Sequence, residues 1–208
     1  MKTRTVAMFP LGTVLFPYAI LPLHVFEPRY RALVRAVLDG DQEFGVVLIE
    51  RGSEVGGGDV RFDVGTMAHI VQASELPDGR FALAVVGVAR FRVERWLADD
   101  PYPRAEIVEL AEAAVTPDAI DAVAPVAAAL HALHALAARV EGLEEPPAAA
   151  ISPDPEQAAY EIAALAAIGP LDAQRVLELA DTAARLRSLG ELIADTSALL
   201  RARLDEDG

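Results

Sequence analysis

Cysteine is absent from this chain, lysine occurs once, at Lys2, and tryptophan once, at Trp96. Without cysteine there is no disulfide, no thiol nucleophile and no thiolate-held zinc, which fits a reducing compartment. With one lysine, at the extreme N-terminus, no Gly-Lys dipeptide exists to cradle phosphates, and no internal lysine can serve as the base of a Ser–Lys dyad. Aromatic residues make up 6% of the chain, too few for a series of base-stacking platforms. Basic residues are also scarce: the net charge is −14, with 12 basic and 15 acidic residues in 1–110 and 6 and 17 in 111–208. Such a balance lacks the strong basic surface that displaces phosphate counterions, so no nucleic-acid partner is expected. The N-terminus holds no unbroken apolar stretch of signal-peptide type. The alanine-rich run at 122–138 is interrupted by Pro125, His131 and His134 and is weakly hydrophobic for a membrane span. No membrane partner is expected, and the reading is a soluble, cytoplasmic protein.

What is present is a globular composition. Of 208 residues, 53% are hydrophobic, and the mean hydropathy is +0.28. A chain of this length buries about 70% of the surface its unfolded form exposes. The most distinctive segment is Phe9 to Tyr30, which sets Pro10, Pro17, Pro22 and Pro28 among large apolar residues. Proline fixes φ and removes a backbone donor, so this segment is expected to be extended, turn-rich and unsuited to a central strand.

Two halves follow different rules. In the first, Glu27 and Pro28 read as N-cap and N1 of a helix, with Tyr30, Leu33, Val34, Val37 and Leu38 on one stripe and Gly40 suited to an αL stop. Phe44–Ile49, Val64–Ala73, Phe81–Trp96 and Tyr102–Leu110 read as strands, with Gly87 marking a bulge or bend and Pro77-Asp78-Gly79 a turn. In the second half, helices are expected from Pro117 to about Glu141, from Asp154-Pro155, from Asp172 to Leu179, and from Asp181 to about Leu204. The fold class is α+β: residues 1–112 form a mostly antiparallel β pseudo-barrel with one short helix, and residues 113–208 a helical bundle.

Candidate chemistry is thin. His131 and His134 have the i, i+3 spacing of two metal ligands, but no His-Glu-x-x-His pattern accompanies them. Gly56-Gly57-Gly58 lacks the strand and helix of a phosphate cradle. Ser53, Ser74, Ser152, Ser188 and Ser197 include no Gly-x-Ser-x-Gly elbow. Asp99-Asp100 beside Pro101 reads as a solvated turn. No catalytic residue, metal or cofactor is expected. Phe16, Tyr18 and Ile20 are candidates for an exposed apolar patch, together with Trp96; the alternative is that they plug the end of the β-domain.

Phe9-Pro10-Leu11, Phe16-Pro17, Leu21-Pro22-Leu23 and Phe26-Glu27-Pro28-Arg29-Tyr30 resemble, in order and spacing, the opening of the Lon protease N-terminal, substrate-binding domain. Asp78-Gly79-Arg80, Gly87 with Arg90-Phe91-Arg92-Val93, and Pro101-Tyr102 look like its central hairpin and following strand. The resemblance implies a PUA-like β-domain followed by helices, in a stand-alone member without ATPase and peptidase domains. It also implies a non-catalytic module that engages unfolded or apolar protein segments, with a separate ATP-dependent protease as a candidate partner. Glu27, Arg29 and Tyr30 are expected to serve structure: a cap, an ion pair and the start of the buried stripe. The alternatives are nucleic-acid or small-ligand binding by the PUA-like domain, and an unrecognised hydrolase.

Overall fold

The computed structural model describes residues 3–52, 58 and 60–206. Lys2, Ser53, Gly56 and Gly57 lie outside the described residues. The chain divides into two compact units, Met1–Ala111 and Glu112–Gly208.

The first unit is a six-stranded mixed sheet with one helix. Its elements are β1 (Arg4–Leu11), β2 (Ile20–Val25), α1 (Pro28–Leu38), β3 (Glu43–Arg51), β4 (Val60–Glu75), β5 (Phe81–Trp96) and β6 (Arg104–Glu109). The order is β2-β5-β4-β3-β1-β6, and β6 also pairs with β5, so five strands close on themselves and β2 is left at an edge. β1 runs parallel to β3; the other pairs are antiparallel.

Two prolines sit inside strands, against the expectation for this segment, and backbone phase explains both. Met8 N–H donates to Pro103 O, so the even residues of β1 point toward β6 and the odd ones toward β3. Pairing with β6 stops after Ala7, while pairing with β3 covers Met8–Leu11. Pro10 therefore falls in the phase that has no partner. Likewise Gly87 N–H donates to Ala19 O, which puts Leu21, Leu23 and Val25 in bonding phase with β5 and turns Ile20, Pro22 and His24 to the free edge. Neither proline costs a ladder bond.

Alternation along β1 divides the core. Phe9 and Leu11 join Tyr30, Leu33, Val34 and Val37 of α1 in one cluster, while Val6 and Met8 join Met67, Phe91 and Ile107 in another. Each fully buried side chain of this size contributes about 2 kcal/mol. α1 ends without the αL glycine expected at Gly40: Asp39 is an αR C-cap, and Gln42 takes the positive φ of 61°.

The second unit is helical: α2 (Pro117–Glu141), α3 (Pro155–Leu165), α4 (Pro170–Glu178) and α5 (Thr182–Glu206). Thr116, Asp154 and Asp181 accept hydrogen bonds from the N–H groups of Ala119, Gln157 and Ala184, capping α2, α3 and α5. α4 differs from expectation: Gly169 is its N-cap and Pro170 its N1, and Asp172 lies in the first turn, bonded to Arg175. α2 continues through Pro125, which lies on an exposed side where water can take the freed carbonyl. On α5, Leu186, Leu189 and Ile193 are buried, but Leu199 is exposed and Ser197 is buried instead. α2 is long and apolar enough to cross a membrane by length and composition. Its Val126, Leu130, Leu133 and Leu136 are buried in the folded chain.

A fully buried cation ties this unit together. Arg185 lies 4.0 Å over the Tyr160 ring and donates to Glu112 Oε2 at 3.1 Å, while Tyr160 OH donates to Glu112 Oε1 at 2.6 Å.

Candidate apolar binding surface

Segment 12–19 crosses back over β5. Phe16 and Pro17 pass directly above Gly87, where any Cβ would collide with the Phe16 carbonyl. Tyr18 N–H donates to Gly87 O at 2.8 Å, and Gly87 N–H to Ala19 O at 2.9 Å. Gly87 thus serves a close backbone approach.

This path separates the three residues expected to form one patch. Phe16 is only 4% exposed, so it cannot be a contact residue on a free surface. Tyr18 is 43% exposed, at a positive φ of 65°, and Ile20 is 70% exposed on the first residue of β2. Ile20 lies opposite Val86. Two bulges beside it enlarge the apolar surface. β4 carries one extra residue between Ile70 and Gln72, and β5 carries one between Gly87 and Arg90, where Val88 and Ala89 face Met67 alone. The extra residue of a bulge is unpaired, and here Val71 is 55% and Val88 46% exposed.

Directly opposed residues share a face of a sheet. The rungs Ile20–Val86–His69, Pro22–Ala84–Gln72 and His24–Ala82–Ser74 therefore form a strip across β2, β5 and β4 that holds no Asp, Glu, Lys or Arg. Val71 and Val88 had no signal in the sequence, since bulge positions follow from register and not from local pattern.

Trp96 belongs elsewhere. It pairs with Ala105, is half-buried against the second core cluster, and carries the Arg61 guanidinium 4.6 Å over its ring. Ten residues of β5 separate it from Val86, on the order of 30 Å along the strand. Next to it, the hydrogen bond from Arg95 holds the Glu106 carboxyl below its ordinary value and raises the Arg95 guanidinium.

Of the signature residues, Phe9, Pro22, Phe26, Glu27 and Tyr30 line a pocket of about 150 Å³ at the seam between the end of β1 and β2. Phe9 and Tyr30 stack at 4.2 Å and 16° beneath it. Glu27 is the N-cap of α1 by backbone geometry, but its carboxylate makes no cap bond; it pairs with Arg29 at 3.1 Å. Arg29 in turn covers the Tyr30 ring at 4.5 Å. Phe26, at 54% exposure, stands on the rim.

In the helical unit, His134 Nε2 contacts Leu165 O at 3.0 Å and His131 Nε2 lies 3.4 Å from Glu145. The two histidines thus have separate partners. Among the described residues, no group of three or more His, Cys, Asp or Glu side chains could hold a metal. Asp99 of the expected solvated turn is exposed and lies 3.6 Å from Arg61.

The family model described as the ATP-dependent protease La (LON) substrate-binding domain matches residues 5–195. The Lon protease of Anaeromyxobacter dehalogenans is 30% identical over 197 residues, covering 91% of this chain and 23% of that protein. Lon protease 2 of Herpetosiphon aurantiacus is 33% identical over 50% of the chain and 13% of its own length. The chain thus spans less than a quarter of either relative. Among solved structures, a Lon N-terminal domain protein from Xanthomonas campestris superposes with a TM-score of 0.65 at 26% identity, over 89% of this chain and 96% of that one. The N-terminal domain of a Mycobacterium avium complex Lon protease also gives 0.65, at 20% identity over 92% and 99%, a likeness of fold.

Proposed function

The chain belongs to the Lon substrate-binding domain family, and from that premise we propose that it is a non-catalytic protein-binding module that captures apolar stretches of unfolded polypeptide. Residues 1–112 do the binding in this reading, and 113–208 serve as helical support. The observation that carries it is the uncharged strip across β2, β5 and β4, with Tyr18, Ile20, Val71 and Val88 standing exposed on or beside it. Exposed apolar surface rimmed by polar residues marks binding surfaces.

The energetics suit brief capture. Fully burying four such side chains returns at most about 6–12 kcal/mol, and ordering a flexible segment plus lost rigid-body freedom removes several kcal/mol of that. Micromolar or weaker affinity follows, since about 8 kcal/mol corresponds to 1 μM. A client lies across the strip and does not extend the sheet, because Pro22 leaves the β2 edge without a donor in its middle. The same reading assigns no ATP or peptide turnover to these 208 residues, which hold no Gly-Lys and no internal lysine. It assigns them a cytoplasmic setting, with transfer of clients to a separate ATP-dependent protease.

The test is binding of reduced, alkylated lactalbumin by fluorescence anisotropy. An Ile20→Ser/Val88→Ser variant should keep the wild-type melting temperature and bind at least about tenfold more weakly, since two such side chains are worth over 1.4 kcal/mol. Equal affinity in both proteins would remove the strip from the site, and no binding to the wild type would end the reading.

A further inference from the structure

The helical unit holds a cavity that the protein-binding reading leaves unused. Its origin lies in the stretch that joins α2 to α3. Gly142, at a φ of 67°, ends α2 in the left-handed region, and Leu143 N–H returns to Ala138 O at 2.8 Å. Residues 143–152 then run back along α2 outside any helix or strand, as a strap held at two points. Glu145 lies 3.4 Å from His131 Nε2, and Ser152 N–H donates to Glu161 Oε2 of α3 at 2.7 Å. Between these anchors Pro146 and Pro147 restrict the backbone, and Ala148 and Ala149 offer only methyl groups. α2 presents Ala127 and Ala128 to the same space. Short side chains on strap and helix thus leave a cavity of about 270 Å³, lined also by Leu130, Ile151 and the two histidines.

The lining selects a class of ligand. Its exposed surface is mostly apolar, and among the described residues that form it none is Asp, Glu, Lys or Arg. A charge entering here would lose water without gaining a counter-charge, so the occupant is uncharged. An apolar cavity of about 150 Å³ binds benzene; this larger one has room for two fused rings. His134 supplies the polar contact. Its Nε2 lies 3.0 Å from Leu165 O, and a carbonyl oxygen only accepts, so in the neutral ring the hydrogen sits on Nε2 and Nδ1 is an acceptor. One N–H or O–H on the ligand matches that acceptor.

We infer that this cavity binds a planar, uncharged molecule of about two fused rings carrying one N–H or O–H donor. The donor bonds His134 Nδ1, and the rings lie between the alanines of α2 and those of the strap. The site falls wholly within Glu112–Gly208 and shares no residue with the strip across β2, β5 and β4. The helical unit therefore has a ligand of its own, beyond a role as support, and the inference does not depend on client capture.

The test is titration of the full ¹⁵N-labelled chain with indole and with 1-methylindole, which has the same rings and no donor, followed in ¹H–¹⁵N correlation spectra. The expected result is saturable movement of the Ala127–His134 and Ala148–Ile151 amides. Indole should bind at least about fivefold more tightly than 1-methylindole, the worth of one hydrogen bond. Ala128→Leu, at an exposed helical position that tolerates leucine, should keep the dispersed spectrum and weaken indole at least about tenfold by filling the space. His134→Phe keeps an aromatic ring and removes the acceptor, so the two probes should bind it equally. Absence of saturation at these amides, equal binding of the two probes by the wild type, or undiminished indole affinity in folded Ala128→Leu would each overturn the inference. Should Ala128→Leu fail to fold, a persistent preference for indole in His134→Phe overturns it.

Discussion

Replacing Gly87 with alanine asks whether the apolar surface is held in place by one missing side chain. The added Cβ would meet the Phe16 carbonyl carbon and oxygen and the Pro17 Cα, all main-chain or ring-locked atoms without a soft rotamer to yield. The segment above must therefore lift. Lifting it forfeits the Tyr18 N–H to Gly87 O and Gly87 N–H to Ala19 O bonds, about 1 kcal/mol each. If Phe16 leaves its buried position with them, a further 2–3 kcal/mol or so is lost. The expected destabilisation is about 2–5 kcal/mol, a large share of the 5–15 or so that holds a typical domain. Trp96 lies in the same unit and is the chain's one tryptophan, so its fluorescence during urea unfolding reports on the β unit. The midpoint should fall by roughly 1 M or more, since the slope is about 1–3 kcal/mol per M. Val88→Ala, one residue on and 46% exposed, is the matched control and should shift stability by less than about 0.5 kcal/mol. Lactalbumin affinity should fall in Gly87→Ala, because Tyr18 and Ile20 ride on the displaced segment. A Gly87→Ala protein with wild-type midpoint and affinity would refute the seating of that segment by close backbone approach.

Four other outcomes follow from the geometry. Arg185→Met removes the Arg185–Glu112 ion pair and should cost about 3–5 kcal/mol, read as an earlier thermal transition by circular dichroism; Glu112→Gln, which keeps a Tyr160 acceptor but takes the carboxylate from the fully buried Arg185, should cost a similar amount. Asp154→Ala removes the cap bond to Gln157 and should cost about 1 kcal/mol in the same assay. The Arg80 backbone N–H holds the Asp78 carboxyl below its ordinary value, so this group stabilises the fold above the unfolded-state value near 4 and loses that contribution as pH falls through the lower folded value; carboxyl NMR should place the Asp78 midpoint below that of a free aspartate, and a normal midpoint would refute it. Pro22→Ala costs no ladder bond and restores a donor to an open edge, so sedimentation should show concentration-dependent self-association with little loss of stability; a destabilised monomer would mean that the backbone phase assigned to β2 is wrong.

The sequence carries some elements plainly and hides others for definable reasons. β5 runs from Phe81 to Trp96 and α2 from Pro117 to Glu141, as read from the residues alone, because long periodic stretches between turn and cap signals leave little ambiguity. β1 and β2 are hidden by Pro10 and Pro22, since proline argues against a strand unless its bonding phase is known, and that phase depends on neighbours far along the chain. The same limit applies to the candidate surface. Phe16, Tyr18 and Ile20 look alike in an apolar, proline-broken stretch, yet the turn over Gly87 buries the first and exposes the last. Val71 and Val88 read as ordinary strand residues until bulges in the β4–β5 ladder free them. Glu112, Tyr160 and Arg185 are 48 and 73 residues apart and share no motif.

The prolines that obscure the strands also explain why an apolar surface can stay open. β2 is a free edge next to an exposed, uncharged face, a combination that ordinarily templates aggregation through added strands. Pro22 removes one donor from the middle of that edge, and Pro10 removes another across the seam, each in the phase where the sheet itself loses nothing. The edge is thereby closed to a full strand while the face keeps its apolar area. A charge placed in the strip would also suppress aggregation, but it would oppose an apolar client with a desolvation cost of several kcal/mol. Proline in the unpaired phase limits self-pairing without that cost, which is a physical reason for a binding surface of this kind to be built from Phe-Pro and Leu-Pro pairs.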